Sequence, residues 1–98
     1  MKILGREKID EFIKKHAGSK KALFRWVQIM ETMEFKTHNE LKNIFPSADY
    51  VGSGRYVFNV KGNDYRLIAV IVFVGGFAQI RFIGTHKEYD KIKEIDKI

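Results

Sequence analysis

The chain has 98 residues, 45% hydrophobic and 31% charged, enough for one core and too few for two. It has no cysteine, which excludes disulfides and thiolate metal sites and suits a reducing compartment. A net charge of +6 favours an acidic partner, nucleic acid first, though an acidic protein or simple solubility accounts for the same balance.

The N-terminus turns charged too soon, at Lys2 and Arg6, to hold the apolar stretch of a signal peptide. Met1 to Leu4 reads as a strand or a frayed end. From Arg6, the residues Ile9, Phe12, Ile13 and His16 recur at helical spacing, predicting an amphipathic helix that closes near Gly18. Ser19 is placed to cap a second helix with the stripe Leu23, Trp26, Val27 and Met30, ending at Glu34. Thr37 and Glu40 have the spacing of a capping box, so a short third helix starts there and buries Leu41, Ile44 and Phe45. Pro46 ends it, because the residue before proline is pushed out of helical geometry. Ser47 to Ser53 is a connector with an extended piece at Tyr50-Val51.

Three strands follow: Arg55 to Lys61, Tyr65 to Val74 and Phe77 to Thr85, joined by turns at Gly62-Asn63 and Gly75-Gly76. The longest apolar run, Leu67 to Ala78, contains both glycines of the second turn and is too short to span a bilayer as a helix. The expected location is the cytoplasm, with no membrane partner. From Lys87, mixed charges around Tyr89, Ile92 and Ile95 predict a terminal helix. Helices segregated from an antiparallel sheet make one α+β domain over residues 1–98.

With two-residue turns, Asn59 pairs with Arg66, Val57 with Ile68, Val74 with Phe77, Val72 with Gln79, Val70 with Arg81 and Arg66 with Thr85. Opposed residues share a face. One face then carries Tyr56, Phe58, Val60, Tyr65, Leu67, Ala69, Ile71, Phe73, Ala78, Ile80 and Phe82, an apolar surface for the helices. The other carries Arg55, Asn59, Lys61, Arg66, Gln79, Arg81 and Thr85 among Val57, Ile68, Val70, Val72 and Ile83. Arginine forks on such a face suit phosphate oxygens. An ordinary solvated face would hold the same residues.

His86, at the end of the last strand, has the chemistry to move protons in RNA cleavage, or to hold strand and tail together. Tyr89 suits either tail packing or stacking on a base. His16, His38 and Trp26 read as structural. The three histidines are too dispersed for a metal site, and no phosphate loop, Ser-His-Asp set or carboxylate pair is present, so no cofactor is expected.

Tyr56-Val57-Phe58-Asn59-Val60, Gly62-Asn63, Arg66-Leu67 and Thr85-His86-Lys87-Glu88-Tyr89-Asp90 resemble the HigB-type toxins of the RelE/ParE superfamily. Leu23-Phe24-Arg25-Trp26 and Phe45-Pro46-Ser47-Ala48-Asp49 agree, so the resemblance covers nearly the whole chain. It implies a RelE-like fold, with N-terminal helices on one face of a mainly antiparallel sheet joined by Met1 to Leu4, and a short C-terminal helix. It also implies the toxin of a type II toxin–antitoxin pair, an mRNA interferase acting on the translating ribosome and neutralised by a HigA-like helix-turn-helix antitoxin. Such a reaction would be metal-independent attack of a ribose 2′-hydroxyl on the adjacent phosphodiester. For that chemistry Arg81 is the first choice to stabilise charge and Arg66 the second, with His86 as acid or base and Tyr89 stacking or sharing in proton transfer. Arg55, Asn59, Lys61, Gln79 and Lys87 would bind flanking RNA. The alternatives are a non-catalytic ParE-like topoisomerase inhibitor and a plain basic RNA-binding module. The second is disfavoured by aromatic residues predicted on the buried face.

Overall fold

The computed structural model describes residues 1–98. Helical spacing of apolar residues produces three helices in the first half: α1 (Glu7–Lys15), α2 (Lys20–Thr32) and α3 (His38–Ile44). In α1 the acids Glu7 and Asp10 occupy the first turn and Lys14 and Lys15 the last, matching the helix dipole. The predicted cap at Ser19 is not formed. Ser19 lies in a short 3-10 turn, fully buried, and its hydroxyl donates to the His16 carbonyl at 2.6 Å. A buried hydroxyl takes the nearest acceptor, here one behind it in the chain. Helix α2 stops at Thr32, two residues short of the predicted Glu34, as Met33 turns extended and the Thr32 hydroxyl bonds back to Gln28. Thr37 does cap α3 through the Glu40 N–H, while the Glu40 carboxylate takes the Lys36 N–H.

The strands β1 (Lys2–Leu4), β2 (Asp49–Gly52), β3 (Arg55–Val60), β4 (Tyr65–Val72) and β5 (Phe77–Thr85) form one sheet in the order β1-β5-β4-β3-β2. Only the β1–β5 pair is parallel. The helices supply Ile9, Phe12, Leu23, Trp26, Val27, Met30 and Leu41 to the core, against Tyr56, Phe58, Val60, Leu67, Ala69, Ile71, Ala78 and Ile80 from one sheet face. That face is the predicted one, apart from two residues of β5.

The first hairpin has the predicted register, Val57 opposite Ile68 and Asn59 opposite Arg66. The second does not. Its turn is longer, with Val72 rather than Val74 opposite Phe77, and the ladder then shifts between Ile68 and Ala69. There Ala69 faces Ile80 and Ile68 faces Phe82, leaving Arg81 as the extra residue of a bulge. The two-residue shift preserves the faces; the bulge reverses them beyond Arg81. Phe82 therefore leaves the predicted core face, Ile83 joins it, and Arg66 pairs with Gly84 instead of Thr85. A Cβ on Gly84 would meet the Phe82 ring, so any side chain there would push the ring aside.

Val57 and Ile68 sit on the second face, yet both are buried. The C-terminal segment lies across that face. Helix α4 (His86–Asp90) contacts β4 and β5, and a final 3-10 turn, Ile95–Lys97, contacts β2.

Candidate nucleic-acid interface

The polar residues of the second face fall in rows across the sheet. Arg55, Val70 and Gln79 form one row; Asp49, Val57, Ile68 and Phe82 the next; Asn59, Arg66 and Gly84 the third. The predicted basic set is thus split between two ends of an apolar stripe. Asn59 lies four residue steps along β3 from Arg55, which is about 13 Å at the rise of a β-strand.

At the first end, Arg55 and Arg81 converge. The Arg55 Nε and Nη2 donate to the main-chain oxygen of Ile98 at 3.0 and 2.8 Å, and the Arg81 Nε donates to the same oxygen at 3.1 Å. Two guanidinium groups on one oxygen are an arrangement suited to an oxyanion. Regular alternation from Gln79 points Arg81 to this face, and the bulge that follows brings Phe82 to the same face beside it. It also lines a cleft of about 320 Å³ between α1 and β5 with Lys8, Lys15, His16, Phe82 and Glu88. Gln79 lies in the same row as Arg55.

At the second end, Arg66 is buried and donates to the carbonyls of Asn63 and Tyr65 at 3.2 and 3.1 Å. Its guanidinium lies 5.8 Å from the centre of the Tyr89 ring. Burial raises the Tyr89 pKa above 10.0, and the Asp49 charge adds to this while Arg66 opposes it. At neutral pH this phenol is protonated, so it can donate a proton or a hydrogen bond but is a poor base.

His86 begins α4, half exposed, with its Nδ1 2.8 Å from the Asp90 carboxylate. Thr85 and Glu88 form a reciprocal capping box that fixes where this short helix starts. The Thr85 main-chain N–H donates to the Glu88 carboxylate at 2.8 Å and is the main reason its pKa lies below 4.5, against a smaller opposing effect of burial. The folded value is below the unfolded one, so this cap contributes above about pH 4.5 and is lost as pH falls through the lowered value. The Thr85 amide resonance is therefore expected to titrate on acidification in the native chain and to stay fixed in Glu88→Gln, which keeps an acceptor at every pH.

Lys61 departs from the predicted face. It takes a left-handed turn conformation, φ 53°, and its ammonium sits beside Gly18 on the helical side. Lys87 is exposed on α4, away from any ion pair. Three contributors escaped the sequence reading. Asp49 lies in a stretch whose sequence reads as connector, strict alternation puts Phe82 in the core, and the Ile98 oxygen carries no side-chain signal. Apolar spacing at Ile92 and Ile95 was the one hint that the tail packs on something.

The HigB toxins, described as the RelE-like toxic component of a toxin–antitoxin system, match residues 19–92, which include strands β2 to β5 and α4. The chain belongs to the HigB toxin family. Its relatives include the mRNA interferase HigB of Escherichia coli O6:H1 (strain CFT073), 31% identical over 94 residues, 94% of this chain and 91% of that protein. The mRNA interferase toxin HigB of Escherichia coli K12 is 46% identical over 59 residues, 57% of this chain and 56% of the relative. The mRNA interferase HigB of Shigella flexneri has the same identity and coverage. The α+β architecture agrees with the RelE-like fold of HigB toxins, and the family match spans Arg55, Arg66, Arg81, His86 and Tyr89. No helix is long and apolar enough to cross a membrane.

Proposed function

We propose that this chain, as one toxin domain over residues 1–98, cleaves mRNA on the translating ribosome without a metal ion, and that a HigA-like helix-turn-helix antitoxin neutralises it in the cytoplasm. The convergence of Arg55 and Arg81 on one oxygen carries this reading, with the interferase names of the full-length relatives in support. Guanidinium groups that converge on one point can stabilise charge that develops on a phosphorane.

The reaction is attack of a ribose 2′-hydroxyl on the neighbouring phosphorus. The 2′-oxygen loses its proton, the bond to the 5′-oxygen breaks, and that oxygen gains a proton. The products are a 2′,3′-cyclic phosphate and a 5′-hydroxyl. Arg81 with Arg55 holds the scissile phosphate, and the cleft that Arg81 lines together with Glu88 leads from that phosphate to α4, which carries His86 and Tyr89. His86, oriented by Asp90, handles one proton, and the protonated Tyr89 stacks on a base or supplies the other. Arg66 keeps Tyr89 in place, and Asn59, Gln79 and Lys87 bind flanking nucleotides. Lys61, on the helical side, would meet RNA only where it leaves the sheet.

Mapping mRNA 5′ ends after brief expression tests the reaction. New internal 5′-hydroxyl ends in translated frames are expected. Intact mRNA accompanied by DNA damage would overturn it in favour of a topoisomerase inhibitor.

A further inference from the structure

The Arg55–Arg81 oxyanion position is filled by the chain itself. The oxygen that both arginines hold belongs to Ile98, at the end of a segment that leaves α4 and crosses the second face. No main-chain hydrogen bond joins residues 91–98 to the sheet; their own bonds run from Lys91 to Glu88, Ile92 to Tyr89 and Lys97 to Glu94. Lys91, Lys93, Glu94 and Lys97 are exposed, while Ile92, Ile95, Asp96 and Ile98 are only partly buried. The segment is thus held by a modest apolar contact and by two arginines whose preferred partner is an anion. A phosphate offers the two guanidinium groups several charged oxygens, where Ile98 offers them a single main-chain oxygen. Segments with few buried contacts and no ladder bonds open at low cost.

We propose that Lys91–Ile98 is a self-occluding strap, with the Ile98 oxygen standing where an RNA phosphate oxygen binds, so that RNA enters only when the strap lifts. This inference rests on the reading of the second face as the RNA site. Apparent RNA affinity is then the intrinsic affinity reduced by the fraction of molecules with the strap open. It also gives a role to the apolar stripe between the two basic ends. Val57 and Ile68 bind no phosphate, but they give the strap a place to rest.

The strap can be pinned. A Cβ on Gly52 would lie 3.5 Å from the Asp96 Cβ, within disulfide range, and the chain has no other cysteine to interfere. Gly52 has φ 100°, so Gly52→Cys is strained, but the strain is common to the oxidised and reduced forms of Gly52→Cys/Asp96→Cys and cancels between them. The probe is a short fluorescent 2′-O-methyl oligoribonucleotide, which lacks the attacking hydroxyl. Oxidised protein is expected to bind it at least about ten-fold more weakly than the same protein after reduction, corresponding to an open fraction cut by that factor. Equal affinity in the two forms would overturn the strap. A chain ending at Ile92 is expected to bind more tightly than the full chain. If it binds no tighter while Arg81→Ala weakens binding to the full chain, the strap is wrong and the RNA site stands. If Arg81→Ala changes binding in neither length, the site reading fails and the strap with it.

Discussion

Arg81→Ala is expected to abolish growth arrest and to slow mRNA cleavage by about 100- to 1,000-fold, the usual cost of removing one fixed donor to a developing oxyanion. Arg55 alone would remain on the phosphate. The side chain is exposed and its one hydrogen bond is to the Ile98 oxygen, so the melting temperature should barely move. Binding to a HigA-like antitoxin should persist. Arg81→Lys keeps the charge but loses the planar fork and is expected to fall between the two. Growth curves, cleavage of a reporter mRNA and thermal melting read these together. Wild-type cleavage by Arg81→Ala would remove Arg81 from the reaction.

Phe58→Ala should be the most damaging single change to the fold. Phe58 is 1% exposed and meets Trp26 and Phe45 edge-on, with ring centres 5.4 and 5.1 Å apart. It joins α2, the end of α3 and the sheet in one aromatic cluster. Its truncation costs about 3–5 kcal/mol, the range for a buried phenylalanine. Against a total stability of roughly 5–15 kcal/mol, this leaves the chain marginal or unfolded. The melting temperature should drop by at least about 12 °C for a chain of this size. Trp26→Phe makes a useful contrast. The Trp26 indole N–H is buried without an acceptor, so losing it removes an unsatisfied donor and offsets part of the lost packing. Thermal denaturation followed by circular dichroism compares the two variants directly.

The helical layer and the first hairpin were legible because their patterns are unambiguous. Ile9, Phe12, Leu23, Trp26 and Met30 keep helical spacing, and Tyr56, Phe58 and Val60 alternate cleanly with Asn59. The second hairpin was not, for the same physical reason. β4 is apolar on both faces, so alternation assigns no register, and a bulge at Arg81 costs nothing that hydrophobicity would reveal. Phe82 and Ile83 exchange faces without changing the pattern. The basic residues stand out in the sequence, but nothing in their spacing divides them into two groups. Pairing places Arg55 and Gln79 in one row and Asn59 and Arg66 in another, with Val57 and Ile68 between them. The tail's resting place was illegible because Ile92 and Ile95 fit any apolar surface. Only folded geometry brings the Ile98 oxygen between Arg55 and Arg81.

On the proposed reading the second sheet face, with Arg81 at one end and Arg66 at the other, performs the cleavage. The most direct measurement is mRNA cleavage by the Arg66→Ala/Arg81→Ala double variant, purified and shown to be folded by circular dichroism because Arg66 is buried. No new 5′ ends and no growth arrest are expected. Full cleavage and full toxicity from a folded double variant would contradict that reading and move the active site off this face.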